Sequence, residues 1–513
     1  MMLDPDVCER ARLARDPRFD GRFFVAVLTT GIYCRPICPV RAPKPQNVRF
    51  YPSAAAAAEA GFRPCLRCRP EASPGTPAWL GTAATVSRAL RLIADGALDQ
   101  GSVEELATRL GVGARHLTRL FQRHLGASPL AVAKNRRLLF AKTLISDTDL
   151  SMAQVALAAG FGSIRRFNAV FRQTYGCAPS SLRKARRRSS GRAMGQNGDF
   201  LLRLPFRPPF DWQAIIDFLG PRAIPGVERV EADFYARTIV LDGQSGWIVV
   251  RPLPDQSYLE LEVDFQEPRA LYKIVERVRQ IFDLGADPAQ IAAHLNQDVK
   301  LAPLIAANPG LRLPGAWDCF ELAVRAVLGQ QVTVKGASTL AGRLVQTFGE
   351  TASRGQDLGL THLFPTESAM AAGEPAQIGM PHARGKALRG LAAAVRDGRV
   401  VFDTALGVEP LEEQLTTLPG LGSWTAQYVA MRALNEPDAF PASDLGLLRA
   451  AERLGLAKTP RELAALAESW RPWRAYAAMH LWRSEAAAQD RATTKAKRKM
   501  RPRKEEHVLQ ASG

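Results

Sequence analysis

The chain has 513 residues, more than one hydrophobic core serves, and three or four domains are expected. Its 68 Lys and Arg against 50 Asp and Glu leave a net charge of +18, which points to a polyanionic partner, nucleic acid before an anionic membrane surface. No stretch is long and apolar enough to span a bilayer, and the opening MMLDPDVCERARLARD is charged where a secretion signal is apolar, so a cytoplasmic, nucleoid-associated protein is expected.

In chain order, residues 1–78 hold two cysteine pairs, Cys34/Cys38 and Cys65/Cys68, and end in the Pro/Gly-rich RPEASPGTPAW. In a reducing compartment, paired cysteines read as metal ligands, and Cys-x3-Cys followed by Cys-x2-Cys suits one tetrahedral Zn²⁺. Spacing alone favours a purely structural zinc. Cys8, Cys177 and Cys319 have no such context. Residues 79–185 carry Leu, Val and Ala at helical spacing and contain an internal repeat: SVEELATRLGVG from Ser102 and SMAQVALAAGFG from Ser151. Each begins with a capping box (Ser102 with Glu105, Ser151 with Gln154), stops at a Gly-x-Gly turn, and continues into a second helix and a Gly-x-x-Pro word. Helix, glycine turn, helix is the helix-turn-helix pattern. Its second helices offer Arg115, His116, Arg119 and Arg123 in one copy and Arg165, Arg166, Asn168 and Arg172 in the other. Such residues reach base edges in the major groove; a plain bundle with solvated arginines is the competing reading for a single copy.

Residues 186–198 read as a basic linker. Strand-like runs such as RTIVLDGQSGWIVVRP and YLELEVDF mark 199–303 as α+β, and 304–486 are helical again. Within them LTTLPGLGSWTAQYVAMRAL is helix, Pro-Gly-x-Gly hairpin, helix; its glycines, Gly420 and Gly422, let backbone amides approach a phosphate. Asp444 follows in DAFPASDLGLLRA, where an isolated Asp would serve as a helix N-cap. The tail from 487 to 513 is basic and expected to be disordered.

Three resemblances sharpen this multidomain α+β reading. RFDGRFFVAVLTTGIYCRPICPVRAPKPQNVRFY and AGFRPCLRCRPE, within residues 10–72, resemble the Ada-type zinc domain. That implies that Cys34, held on Zn²⁺ with Cys38, Cys65 and Cys68, takes a methyl group from a DNA phosphotriester; Arg35, Arg41 and Lys44 are then candidate phosphate contacts. The doubled helix-turn-helix resembles the all-α DNA-binding domain of AraC-type regulators. From 199 to 486 the hairpin, AVRAVLGQQVTVKGA and WRPWRAYAAMHLW resemble the AlkA branch of the helix-hairpin-helix glycosylases, with an α+β front domain and an all-α glycosylase domain. This implies excision of alkylated bases such as 3-methyladenine, with Asp444 as the catalytic carboxylate and Trp424, Tyr428 and Trp482 as the aromatic base pocket. Trp424 stands where relatives that also cut the strand carry a lysine, so a monofunctional enzyme is implied. Two positions depart from the branch: Gln331 replaces an apolar duplex wedge, and Leu445 replaces a tyrosine. The family also binds a monovalent cation at the hairpin, here through the carbonyls of Thr416, Leu418 and Leu421. Double-stranded DNA, damaged and promoter, is the implied partner, with RNA polymerase for an activator and a monomer as the expected state. No Pro-Cys-His-Arg word of an O6-methylguanine methyltransferase occurs. Two narrower readings remain: a transcription activator whose glycosylase fold only clamps DNA, and a glycosylase whose front half only targets it.

Overall fold

The computed structural model describes residues 4–73, 84–99, 101–183, 200–405 and 407–500. The expected linker at 186–198 lies outside them.

The first module is built on a four-stranded sheet in the order β3-β1-β2-β4, formed by β1 (Phe24–Val27), β2 (Ile32–Cys34), β3 (Val48–Tyr51) and β4 (Arg63–Pro64). β2 and β4 run parallel with Tyr33 opposite Pro64, and Cys65 N–H donates to the Tyr33 carbonyl at 3.0 Å. This pairing sets the end of β2, where Cys34 sits, beside Cys65. The helix Ala54–Glu59 is alanine at five of its six positions because it packs flat against the sheet, and Ala57 is fully buried.

The helical module follows its sequence signals closely. Ser102 and Ser151 both form complete capping boxes, over the helices Val103–Arg109 and Met152–Ala158. The second helices, Ala114–Leu125 and Ile164–Tyr175, end on Gly126 and Gly176 in the left-handed region (φ 66° and 71°), which only glycine adopts without strain. Leu117, Phe121 and Leu125 face the core in one copy, and Phe167, Phe171 and Tyr175 in the other. The i, i+4, i+8 spacing of these residues leaves the arginines outward.

A five-stranded antiparallel sheet follows, ordered β5-β9-β8-β7-β6, with β5 (Phe200–Pro205), β6 (Glu228–Val230), β7 (Tyr235–Leu241), β8 (Gln244–Pro252) and β9 (Tyr258–Asp264). Along β9, Leu259, Leu261 and Val263 are buried and alternate with half-exposed residues, as a sheet with one covered face requires. The helices from Leu271 onward form an all-α body whose core is continuous with the sheet and with the second helix-turn-helix unit. One expectation fails at the C-terminal end. The last helix runs Arg474–Met500, so the tail from 487 to 500 is helical rather than disordered, propagated from a helix already nucleated by packing of its first two turns. No helix among the described residues is long and apolar enough to cross a membrane.

Candidate metal centre and base-excision site

Two sites emerge. In the first, the Sγ atoms of Cys34, Cys38, Cys65 and Cys68 all lie within 4.8 Å of one another. Thiolates at about 2.3 Å from a tetrahedral Zn²⁺ stand roughly 3.8 Å apart, so the four fit that ion with a small contraction. A turn closed by Cys38 N–H on the Arg35 carbonyl (3.1 Å) folds Cys38 back beside Cys34. Arg35 N–H donates to Cys68 Sγ at 3.3 Å, which favours a thiolate there. Four thiols this close split their proton affinities: hydrogen bonds with Cys38 and Cys65 push Cys34 up, and the one with Cys34 pulls Cys65 down. A divalent cation removes that conflict. All four are buried.

Arg35 corrects the sequence reading. Neither a phosphate contact nor a solvated surface charge, the two readings its sequence offers, fits: its side chain is buried and its guanidinium grips Asp20, with Nε at 2.9 Å from Oδ1, while Nη1 donates to the Cys68 carbonyl at 3.1 Å. It is a strut of the metal centre. Arg41 and Lys44 are exposed.

On the helix-turn-helix units Arg115, His116, Arg119, Arg123, Arg165, Arg166 and Arg172 are exposed, and Asn168 is half-buried.

In the second site, the hairpin places Gly420 at φ 86°, and a Cβ there would meet Ala387 at 3.1 Å. The helix Ser423–Arg432 starts directly after Gly422. Trp424 and Tyr428, one turn apart on it, stack with centroids 5.3 Å apart and planes 11° apart. Trp482, from the last helix, meets Tyr428 edge-on at 6.3 Å. Asp444 is the N-cap of Leu445–Arg453, its Oδ1 accepting from Leu447 N–H at 3.0 Å. The same oxygen accepts from Trp482 Nε1 at 2.8 Å, and Oδ2 accepts from Trp424 Nε1 at 3.0 Å. The N-cap role and the aromatic site therefore coincide in one carboxylate. Three N–H donors fix the orientation of both its oxygens.

Sequence reasoning missed the wall supplied by the front module. Phe218 lies 6.4 Å from Trp482, with the Arg222 guanidinium 3.9 Å over its ring and Arg432 at 4.9 Å. Arg432 Nη1 also donates to the Tyr428 hydroxyl at 2.8 Å. Burial alone would raise the Tyr428 hydroxyl, but Arg432 and Arg222 outweigh it and hold its pKa below the ordinary tyrosine value. The one available sequence signal was an aromatic and an arginine four residues apart. Gln330 was also missed: Nε2 donates to the Gly420 carbonyl at 3.0 Å and lies 3.3 Å from Thr425 Oγ1, tying the hairpin to the LGQQVTV turn. Gln331 beside it is exposed at φ 56°, between the exposed Val332 and the rest of the turn. Leu445 is 66% exposed next to Asp444, so it does not fill the pocket as a tyrosine would.

Comparison with known proteins agrees with this layout. Residues 7–71 match the metal-binding domain of Ada, 106–185 a helix-turn-helix domain, 201–318 the AlkA N-terminal domain, and 324–475 the HhH-GPD superfamily of base excision DNA repair proteins. The chain is 45% identical over 479 residues to a probable bifunctional transcriptional activator/DNA repair enzyme AlkA of Mycobacterium tuberculosis, covering 93% of this chain and 96% of that one. It is 36% identical over 295 residues to DNA-3-methyladenine glycosylase 2 of Escherichia coli, covering 56% of this chain and 99% of the relative. A solved 3-methyladenine DNA-glycosylase from Archaeoglobus fulgidus shares the fold, with 24% identity and a TM-score of 0.50, over 55% of this chain and 98% of that chain.

Proposed function

The chain belongs to the family of bifunctional Ada/AlkA-type transcriptional activator/DNA repair proteins, and from that premise we propose that it couples two reactions on alkylated DNA. In the first, the Cys34 sulfur attacks the methyl carbon of a DNA methylphosphotriester. The S–C bond forms as the C–O bond breaks, and the phosphodiester leaves as an anion; the thioether is permanent, so each chain turns over once. Cys34, Cys38, Cys65 and Cys68 would hold Zn²⁺, which would keep the thiolates deprotonated and give the cluster a net charge of about −2. Methylation lowers this to about −1, which weakens repulsion from phosphate and tightens promoter binding. Arg115, Arg119, Arg165, Arg166 and Asn168 are then the groove-reading residues of an activator that engages RNA polymerase. Arg41 and Lys44 are the phosphate contacts at the cluster.

In the second reaction the protein hydrolyses the glycosidic bond of alkylated purines without cutting the strand. The observation that carries this reading is the Asp444 carboxylate, held by three donors among tryptophans. As the base leaves, positive charge grows on the sugar, and a fixed anion stabilises it. Trp424, Tyr428 and Trp482 receive the flipped cationic base through cation–π attraction. Gln331 fills the gap in the duplex. Gly420 and Gly422 meet the phosphate, and the carbonyls of Thr416, Leu418 and Leu421 are the groups that would hold a monovalent cation there. With Trp424 in place of a lysine, no Schiff base forms, and an abasic site is the product. The protein works as a monomer on the cytoplasmic nucleoid.

Intact-mass and peptide mass spectrometry after incubation with methylphosphotriester DNA tests the first reaction. One methyl group on Cys34 is expected. Modification of Cys38, Cys65 or Cys68 instead, or no mass gain by the zinc-loaded chain, overturns it.

A further inference from the structure

The regulator half reaches into the glycosylase at one point that bears on catalysis. Arg91 lies on the helix Ala84–Ala94, the first of the helical module. Its Nη1 donates to the carbonyls of Leu434 at 2.9 Å and Asn435 at 2.7 Å, and Nη2 to Glu436 Oε2 at 3.1 Å. The two side chains are 9% and 5% exposed. Residues 433–436 form the turn by which the chain leaves the hairpin's second helix, with Asn435 at φ 48°, and eight residues after Glu436 the chain arrives at Asp444. Downstream ties of this loop come from the glycosylase itself: Phe440 N–H to Gln427 Oε1 at 3.0 Å, and Arg474 Nε to Asp438 Oδ1 at 2.9 Å. The contacts around Arg91 match chemically. Arg136 pairs with Glu276 at 2.9 Å, Phe140 meets Tyr272 edge-on at 4.9 Å, and Arg22 of the metal module pairs with Asp287 at 2.9 Å.

A helix C-terminus leaves carbonyls without intrahelical partners and carries the negative end of the helix dipole. Glu436 adds a formal negative charge at the same place. A bidentate cation from outside the helix answers all three, and Arg does so with a rigid fork that Lys lacks. Without Arg91 the buried Glu436 must be hydrated, and the turn has to open to admit water. The displacement enters the loop upstream of the Phe440 and Asp438 ties. The indole donors to Asp444 lie outside this loop, Trp424 in the first turn of the hairpin's second helix and Trp482 on the last helix.

We propose that Arg91 is a positioning residue for base excision: the regulator half supplies the side chain that fixes the start of the loop ending in Asp444. Base release by the full chain thereby depends on the regulator half staying docked. The proposal rests on Asp444 being the catalytic carboxylate.

The test uses the full, zinc-loaded chain and a duplex oligonucleotide carrying methylated purines. Single-turnover base release, DNA affinity and hydrogen exchange of residues 435–444 are measured for wild type, R91A, R91K, the R91E/E436R exchange and D444N. Expected for R91A is release slowed about tenfold at saturating DNA, with affinity and zinc content unchanged and faster exchange in the loop. R91K falls between, and the exchanged pair recovers part of the rate. Should R91A fail to fold, R91K carries the same test through the rate and the loop exchange. Wild-type release by R91A, or by R91K with unchanged loop exchange, overturns the proposal. So does a slowed rate with exchange raised throughout the chain, which marks a general loss of fold. Release by D444N at the wild-type rate overturns the reading of Asp444 and, separately recognisable, this proposal with it.

Discussion

Replacing Asp444 with asparagine changes one atom's chemistry at the site where charge is proposed to develop. The carboxylate accepts from Leu447 N–H and Trp482 Nε1 on Oδ1 and from Trp424 Nε1 on Oδ2. Asparagine keeps one oxygen, which can serve Leu447 and Trp482, and it remains a good N-cap, so the helix from Leu445 keeps its start. Its amide nitrogen then faces the Trp424 N–H, donor against donor, and leaves that indole unpaired at a cost of about 1–3 kcal/mol in stability. The catalytic loss is larger. A unit charge about 4 Å from a developing cation, at an effective dielectric of about 20, is worth about 4 kcal/mol. At about 1.4 kcal/mol per factor of ten, release should slow about a thousandfold. The assay is single-turnover release from methylated duplex DNA, with affinity for an uncleavable duplex measured in parallel. Release within tenfold of wild type, with binding intact, would refute the assignment of an electrostatic role to Asp444.

Arg35→Ala should leave Asp20 as a buried unpaired anion and destabilise the metal module by about 3–5 kcal/mol, read as faster zinc loss to a chelator. Arg41→Ala should leave zinc retention untouched and lower the salt dependence of DNA binding by about one unit of log–log slope. Equal zinc retention in the two variants would put Arg35 back on the surface. Removing a cap, by Ser102→Ala or Ser151→Ala, should cost about 1 kcal/mol each in the helical module, measured by urea titration with a fluorophore placed there. Burial raises Asp283 to about 6 from 3.8, against the opposing pull of Arg312. A carboxyl whose folded pKa is raised contributes stability that is present below 3.8 and lost as pH rises through about 6. Asp283→Asn, tolerated at its φ of 49°, should therefore raise the melting temperature near pH 8, with the gain shrinking as pH falls through 6 toward 4. A gain independent of pH would contradict this.

What was legible in the sequence was whatever is encoded within a few residues. The capping boxes at Ser102 and Ser151, the glycine stops and the hairpin all act over three to five positions, and each stands where its local signal puts it. The four cysteines were readable because tetrahedral thiolate ligation imposes spacings of its own. The inward turn of Arg35 was not legible, because it depends on Asp20, fifteen residues upstream and brought near by the sheet. Local spacing could not pair Trp482 with Asp444, 38 residues apart, and only the family resemblance put the two in one site; Phe218 had no such signal, since helix packing alone brings it to Trp482. The helical stretch from 487 was misread because its composition lacks an apolar face, whereas its helicity is inherited from the packed turns before it.

The doubled helix-turn-helix also bears on how such a chain arises. Each copy contains its own start, a serine capping box, and its own stop, a left-handed glycine at position 126 or 176. Neither signal borrows a residue from the other copy. A segment of this kind can be duplicated whole with its helix ends already specified, because the start and stop signals travel with the piece. Its two recognition helices are then free to diverge in their exposed positions, acquiring separate DNA preferences, while the i, i+4, i+8 spacing of the inward residues is kept even where their identities differ.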